Sequence, residues 1–201
     1  MVEIMVYSAG LMSQSFWFLE FKKAVKLRQD GLGYDEIKKK CIEENLFGAA
    51  TENRVKRMAG YIVNRLKMMD DALVQLFISS DLATQKLINL IAILRSDRLF
   101  FEFVYEVYRE KVILGIDCLE EADVNVFFTR KETQSDLIAG WKESTKKHLR
   151  SCYLNFMTDA NLLTIMEKKK SITPPILDIA LERYLKSVDE EAMIKALTGV
   201  N

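Results

Sequence analysis

The 201-residue chain has little of the two residues that punctuate folds, with 8 glycines and 2 prolines, well under half the usual share. Long helices and few tight turns follow. Cysteine is sparse and odd in number: Cys41, Cys118 and Cys152 are scattered, with no Cys-x-x-Cys pair. That argues against a disulfide framework and a zinc site, and it suits a reducing cytoplasm. The single histidine, His148, removes chemistry built on imidazole clusters and reads as a surface ring. An excess of one charge sign is missing too, because 29 Lys and Arg match 29 Asp and Glu. No overall field steers the molecule to a polyanion, so any such attraction must be local. The longest uncharged stretch, Ile4 to Leu19, contains Ser8, Gly10, Ser13, Gln14 and Ser15. It is too short and polar to span a bilayer and lacks the basic lead of a signal peptide, so a soluble cytoplasmic protein with no membrane role is expected.

Catalytic motifs are also lacking. The chain contains neither a GxxxxGK[ST] phosphate loop nor a GxGxxG turn. Its one Pro-Pro, in the run Thr173 to Ile176, lacks the Asn or Asp ahead and the aromatic behind that a DNA amino-methyltransferase uses. Glu120, Glu121 and Asp123 are clustered, but at a helix start they read as dipole partners rather than nuclease ligands. No catalytic residue, metal, cofactor or small-molecule substrate is expected.

What is present is a helical period. Hydrophobic residues make up 49% of the chain, and size scaling gives roughly 24,000 Å² buried on folding, so no staple is needed. Apolar positions recur at three- and four-residue intervals almost throughout. Helices are predicted over about Ser13 to Gln29, Tyr34 to Glu44, from a Thr51 N-cap to about Asp70, Asp71 to Ile78 and Leu82 to Leu94. The block Asp97 to Lys111 reads DRLFFEFVYEVYREK and is apolar on nearly all sides, which places it in the centre of a bundle. Asp117 with Glu120 resembles a capping box opening a helix to about Lys131. A short helix, Gln134 to Lys142, and a longer one capped by Ser144 or Thr145 and ending near Ala160 come next. Leu162 to Thr173 suits a small hairpin with Lys168 to Lys170 at its tip, and a last helix covers Asp178 to Ser187 before a loosely attached tail helix. The expectation is an all-α fold, a single globular helical bundle over residues 1–201 with one small β-hairpin.

Two constellations carry chemistry. In residues 33–68 a short helix and a connector lead into TENRVKRMAGYIVNRLK, where Val55, Met58, Ala59, Ile62 and Leu66 make the buried stripe. Arg54, Arg57, Tyr61, Asn64 and Arg65 fall largely on the other side. Five basic residues and no acidic one occur between Asn53 and Lys67, a composition suited to phosphates or base edges. In residues 119–174 two helices precede STKKHLRSCYLNFMTDA, with Thr145, Lys146, Lys147 and Arg150 on its first two turns. A recognition helix meets DNA with that end. The hairpin bearing Lys168, Lys169 and Lys170 would be the wing of a winged helix. The alternative for both is a solvated charged face.

Four stretches together carry a resemblance: YSAGLMSQSFWFLEFKKAVKL (Tyr7 to Leu27), IKKKCIEENLF (Ile37 to Phe47), LRSDRLFFEFVYEVYREK (Leu94 to Lys111) and WKESTKKHLRSCYLNFMTDANLL (Trp141 to Leu163). From about Tyr7 to about Leu185 the chain resembles the BrxA family, small accessory proteins of BREX bacteriophage-exclusion systems. The resemblance implies an all-helical fold similar in part to the transcription antitermination factor NusB. It also implies helix-turn-helix elements flanked by positive surface, binding of double-stranded DNA, and other BREX proteins as partners. The implied contacts fall on Arg54, Arg57 and Arg65, and on Thr145, Lys146, Lys147 and Arg150. The expected function is a non-enzymatic double-stranded-DNA-binding subunit. A helical adaptor that holds protein partners through its tail, Val188 to Val200, is the alternative from another class, and a nuclease is a third.

Overall fold

The computed structural model describes residues 6–166 and 169–200. Contacts group them into two compact units, Phe16–Ser96 and a second formed by the residues before Phe16 and after Ser96.

The Phe16–Ser96 unit is helical: α1 (Phe18–Gln29), α2 (Tyr34–Glu43), α3 (Glu52–Leu66), α4 (Asp71–Ser79) and α5 (Leu82–Ser96). Side-chain caps set the starts of α3 and α4. Thr51 Oγ1 accepts from the Arg54 amide at 3.3 Å and Asp70 Oδ1 from the Leu73 amide at 2.8 Å. Residues 87 to 94 of α5 are buried all round its circumference, and α1, α3 and α4 pack against it. Phe21 and Phe77 meet edge to face at 5.7 Å beneath α1 and α4. The first helix starts later than its periodicity predicts. Gly10–Ser13 is a separate single turn, and Trp17 adopts left-handed angles (φ 44°, ψ 49°) that a continuous helix cannot contain.

In the second unit the aromatic block forms one continuous helix: α6 (Arg98–Phe103), a π-helical turn (Val104–Tyr108) and α7 (Arg109–Ile113). Asp97 caps it through the Phe100 amide at 2.9 Å. Next come α8 (Glu121–Gln134), α9 (Asp136–Ala139), α10 (Glu143–Asp159), β1 (Leu163–Met166), β2 (Lys169–Ile172), α11 (Ile179–Ser187) and α12 (Glu191–Thr198). One face of the block is core: Leu99, Phe100, Phe103, Val104 and Tyr108 are fully buried, packed with Phe127, Phe128, Tyr153 and Phe156, and the Phe100 and Tyr153 rings stack at 4.5 Å. Phe101, Tyr105 and Val107, which its composition also places inside, are only partly buried. Lys131 is buried against its surface, with Nζ 2.6 Å from both Glu102 Oε2 and Glu106 Oε1. Arg98 Nε and Tyr7 Oη also donate to Glu102, at 2.7 and 2.9 Å. Burial pushes the Glu102 carboxyl up, but these donors outweigh it and hold the group below its ordinary range.

Three expectations are corrected here. Asp117 does not open a helix. Residues 117–119 lie along β2, with the Ile172 amide donating to the Asp117 carbonyl at 2.8 Å and the Leu119 amide to the Lys170 carbonyl at 3.0 Å. The capping box therefore falls three residues later, where Asp123 Oδ2 accepts from the Glu120 amide at 2.7 Å. Lys169 and Lys170 are not at a hairpin tip but on β2, opposite Met166 and Ile165; Lys168 lies outside the described residues. The tail is not loose, because α12 buries Met193, Ala196 and Leu197 and packs on the π-helical turn and α7. Gly199 closes α12 at φ +73°, and a Cβ there would overlap the Val112 side chain.

Candidate nucleic-acid interface

In the Phe16–Ser96 unit, α3 presents Arg54, Arg57 and Asn64 to solvent, with Tyr61 half-buried among them. At about 100° per residue these four side chains share an arc of about 80°. Among the described residues, neither Arg54 nor Arg57 has a carboxylate partner. Lys56 is paired with Glu52 at 2.5 Å, and on α2 Lys39 and Lys40 are paired with Glu43 and Glu44. Lys38 on α2 and Lys67 just past α3 are exposed as well, without a carboxylate partner among the described residues, so the α3 stripe holds part of this unit's unpaired positive charge.

Arg65 is a correction. On a helical wheel it lies within about 20° of Arg54, which is why periodicity turns it outward. The structure buries it to 2% exposure beneath the chain entering α1. Arg65 Nη1 donates to the Phe16 carbonyl at 2.6 Å and to Asn89 Oδ1 at 3.1 Å, and Asn89 Nδ2 donates to the same carbonyl at 3.0 Å. Burial pulls its pKa down to about 9, opposed by the Glu20 charge, so it is still a cation at neutral pH. It is tied into the fold and is not offered to a phosphate.

In the second unit α10 behaves similarly. Lys146 is buried, with Nζ 2.9 Å from Glu132 Oε1 and 3.2 Å from Glu143 Oε2. The hydrogen bond to Glu132 leads the effects that raise its pKa. Arg150 Nη1 lies 2.8 Å from Glu143 Oε1, and its guanidinium sits 5.1 Å above the Phe128 ring. These two residues are therefore not outward cations. Thr145 is half-buried, and Lys147 alone of the four is exposed. The outward stripe of α10 is instead Ser144, Lys147, His148, Ser151 and Asn155, four of which sequence reading left out. The missing signal was Glu143, which stands one turn before Lys146 and two before Arg150.

Lys147, Arg150 and Lys170 line a cleft of about 390 Å³ together with Glu120 and Glu121, so its charge is mixed. Lys169 is exposed and Lys170 half-buried on β2. Buried Cys41 has its thiol pushed up to about 11 by burial and then by Glu44, the opposite of what a thiolate nucleophile needs. Among the described residues no cluster of His, Cys, Asp and Glu could hold a metal ion, and no helix is long and apolar enough to cross a membrane.

Three similarities join this geometry. A crystal structure of an uncharacterized protein from Magnetospirillum magneticum superimposes with a TM-score of 0.82, covering 96% of this chain and 99% of that one at 18% identity; that likeness concerns the fold alone. A protein of Bacillus cereus (strain H3081.97) named BREX protein BrxA is 35% identical over 199 residues, 99% of this chain and 100% of its own length. The sequence model of the BrxA family matches residues 5–189. With nearly the whole length matched in both sequence comparisons, the chain belongs to the BrxA family.

Proposed function

We propose that this chain is a non-enzymatic accessory subunit of a BREX phage-defence system that binds double-stranded DNA chiefly through phosphate contacts, in the cytoplasm and alongside other BREX proteins. The observation that carries the reading is the α3 stripe, where Arg54 and Arg57 are exposed with no carboxylate partner among the described residues and Asn64 follows on the same arc. The second unit adds an element order that suits a winged helix, namely a helix, a segment at 117–119 bridged to β2 through Cys118 and Ser171, α8, α9, α10 and the β1–β2 hairpin. On this reading α10 is the recognition helix, Lys147 its cation, and Lys169 and Lys170 belong to the wing.

Five cations, Arg54, Arg57, Lys147, Lys169 and Lys170, are then available to phosphates. At about 0.9 per phosphate, log K should fall against log salt with a slope of roughly −4 to −5. Fluorescence anisotropy of the whole chain with a labelled 20-base-pair duplex at several salt concentrations tests this, and affinity independent of salt would reject the mechanism.

A protein-adaptor reading finds one specific observation. A cleft of about 270 Å³ beside α7 and α8 is lined by Leu114, Ile116 and Val126, of which Leu114 is 70% exposed. The tail residues Met193, Ile194, Ala196 and Leu197 are buried in their own unit and do not serve as anchors in this reading.

A further inference from the structure

Trp17 is a bulky residue in the left-handed region, a conformation that costs free energy and persists only where its surroundings impose it. The carbonyl just before it is anchored. Phe16 O is held from two sides by the Arg65 guanidinium and the Asn89 amide, both buried. The Trp17 indole lies against the Tyr61 ring, centroids 6.2 Å apart and planes 24° from parallel. Both residues are partly exposed. Tyr61 belongs to the α3 arc, between Arg57 one turn before it and Asn64 one turn after. The charge of Glu20, on the first turn of α1, acts on the buried Arg65.

From this juxtaposition we propose that the Trp17–Tyr61 pair is a stacking ledge for an unpaired base of a DNA strand, and that Arg54 and Arg57 hold the flanking phosphates. Bases inside an intact duplex have both faces covered by their neighbours and present only edges to a groove. A flat aromatic pair in a cation-lined stripe is matched instead to a base that has left the stack, where base–aromatic stacking adds affinity without regard to sequence. Arg65 and Asn89 are positioning residues: they touch no DNA and fix the backbone that carries the indole. The inference rests on the DNA-binding reading above and deepens it.

The test uses the full chain with Trp141→Phe, leaving Trp17 as the sole indole. Three fluorescein-labelled probes are titrated: oligo(dT)20, a 20-base-pair duplex, and the same duplex with one extra unpaired thymine. Quenching of Trp17 emission by the single strand and the bulged duplex, and about tenfold tighter binding of the bulged than of the intact duplex, is the expected result. Trp17→Leu should abolish that ratio, while Trp17→Phe, which keeps a ring, retains part of it. Unchanged emission with equal affinity for bulged and intact duplex overturns the ledge and leaves the phosphate reading standing. If none of the three probes binds, both readings fail.

Discussion

The structure divides cations that the sequence treats alike into free and committed ones, and salt titration can read that division. Replacing Arg54 and Arg57 together with alanine removes two exposed charges that have no carboxylate partner among the described residues. At about 0.9 per phosphate, the slope of log K against log salt should shrink by about 1.8. If each contact contributes nothing at 1 M salt, the same relation gives about a 30-fold loss of duplex affinity at 0.15 M. Lys147→Ala should shrink the slope by about half as much. Lys146→Met should not shrink it, because that ammonium is already neutralised by Glu132 and Glu143 within 3.2 Å. Anisotropy titrations from 50 to about 300 mM salt measure the slopes, and urea midpoints verify that each variant is folded. The reasoning is refuted if Lys146→Met shrinks the slope while the Arg54→Ala/Arg57→Ala pair leaves it unchanged.

Two further predictions concern the second unit. Lys131→Met removes the ammonium that Glu102 and Glu106 share, leaving Glu102 with its bonds from Arg98 and Tyr7. Glu106 is 39% exposed and recovers water, so the loss should be about 2–3 kcal/mol, below that for breaking a fully buried pair; an unchanged urea midpoint would contradict it, and adding Glu102→Gln should restore part of the loss. Asp97 is raised to about 6 by burial, against the opposing hydrogen bonds from the Phe100 and Leu99 amides. A carboxyl whose folded pKa lies above its unfolded value favours folding fully below pH ~4, and that contribution is lost as pH rises through about 6. Asp97→Asn keeps a capping oxygen without the charge, so its stability relative to the parent should rise by about 2–3 kcal/mol between pH 4 and pH 7.5. A difference in urea-derived stability that does not vary with pH would count against this.

The helical class, the α3 cap at Thr51, the buried stripe from Val55 to Leu66 and the aromatic core block were all legible in the chain, because each is decided within a few residues by periodicity and by side chains that satisfy nearby amides. The small hairpin was legible for the same reason. Local pattern could not show that residues 117–119 are taken up by β2, since that pairing reaches about fifty residues along the chain. Nor could it show that α12 is packed down rather than loose, a matter of what lies across from it. The functional surface divides the same way. Residue type and spacing single out Arg54, Arg57 and Lys147 as cations on helix faces. Whether a guanidinium or ammonium on such a face meets water or a distant carbonyl or carboxylate depends on which segment crosses it. Phe16 crosses α3 at Arg65, and Glu132 of α8 reaches Lys146. Periodicity gives the direction in which a side chain leaves its helix, whereas its availability is set by non-local packing.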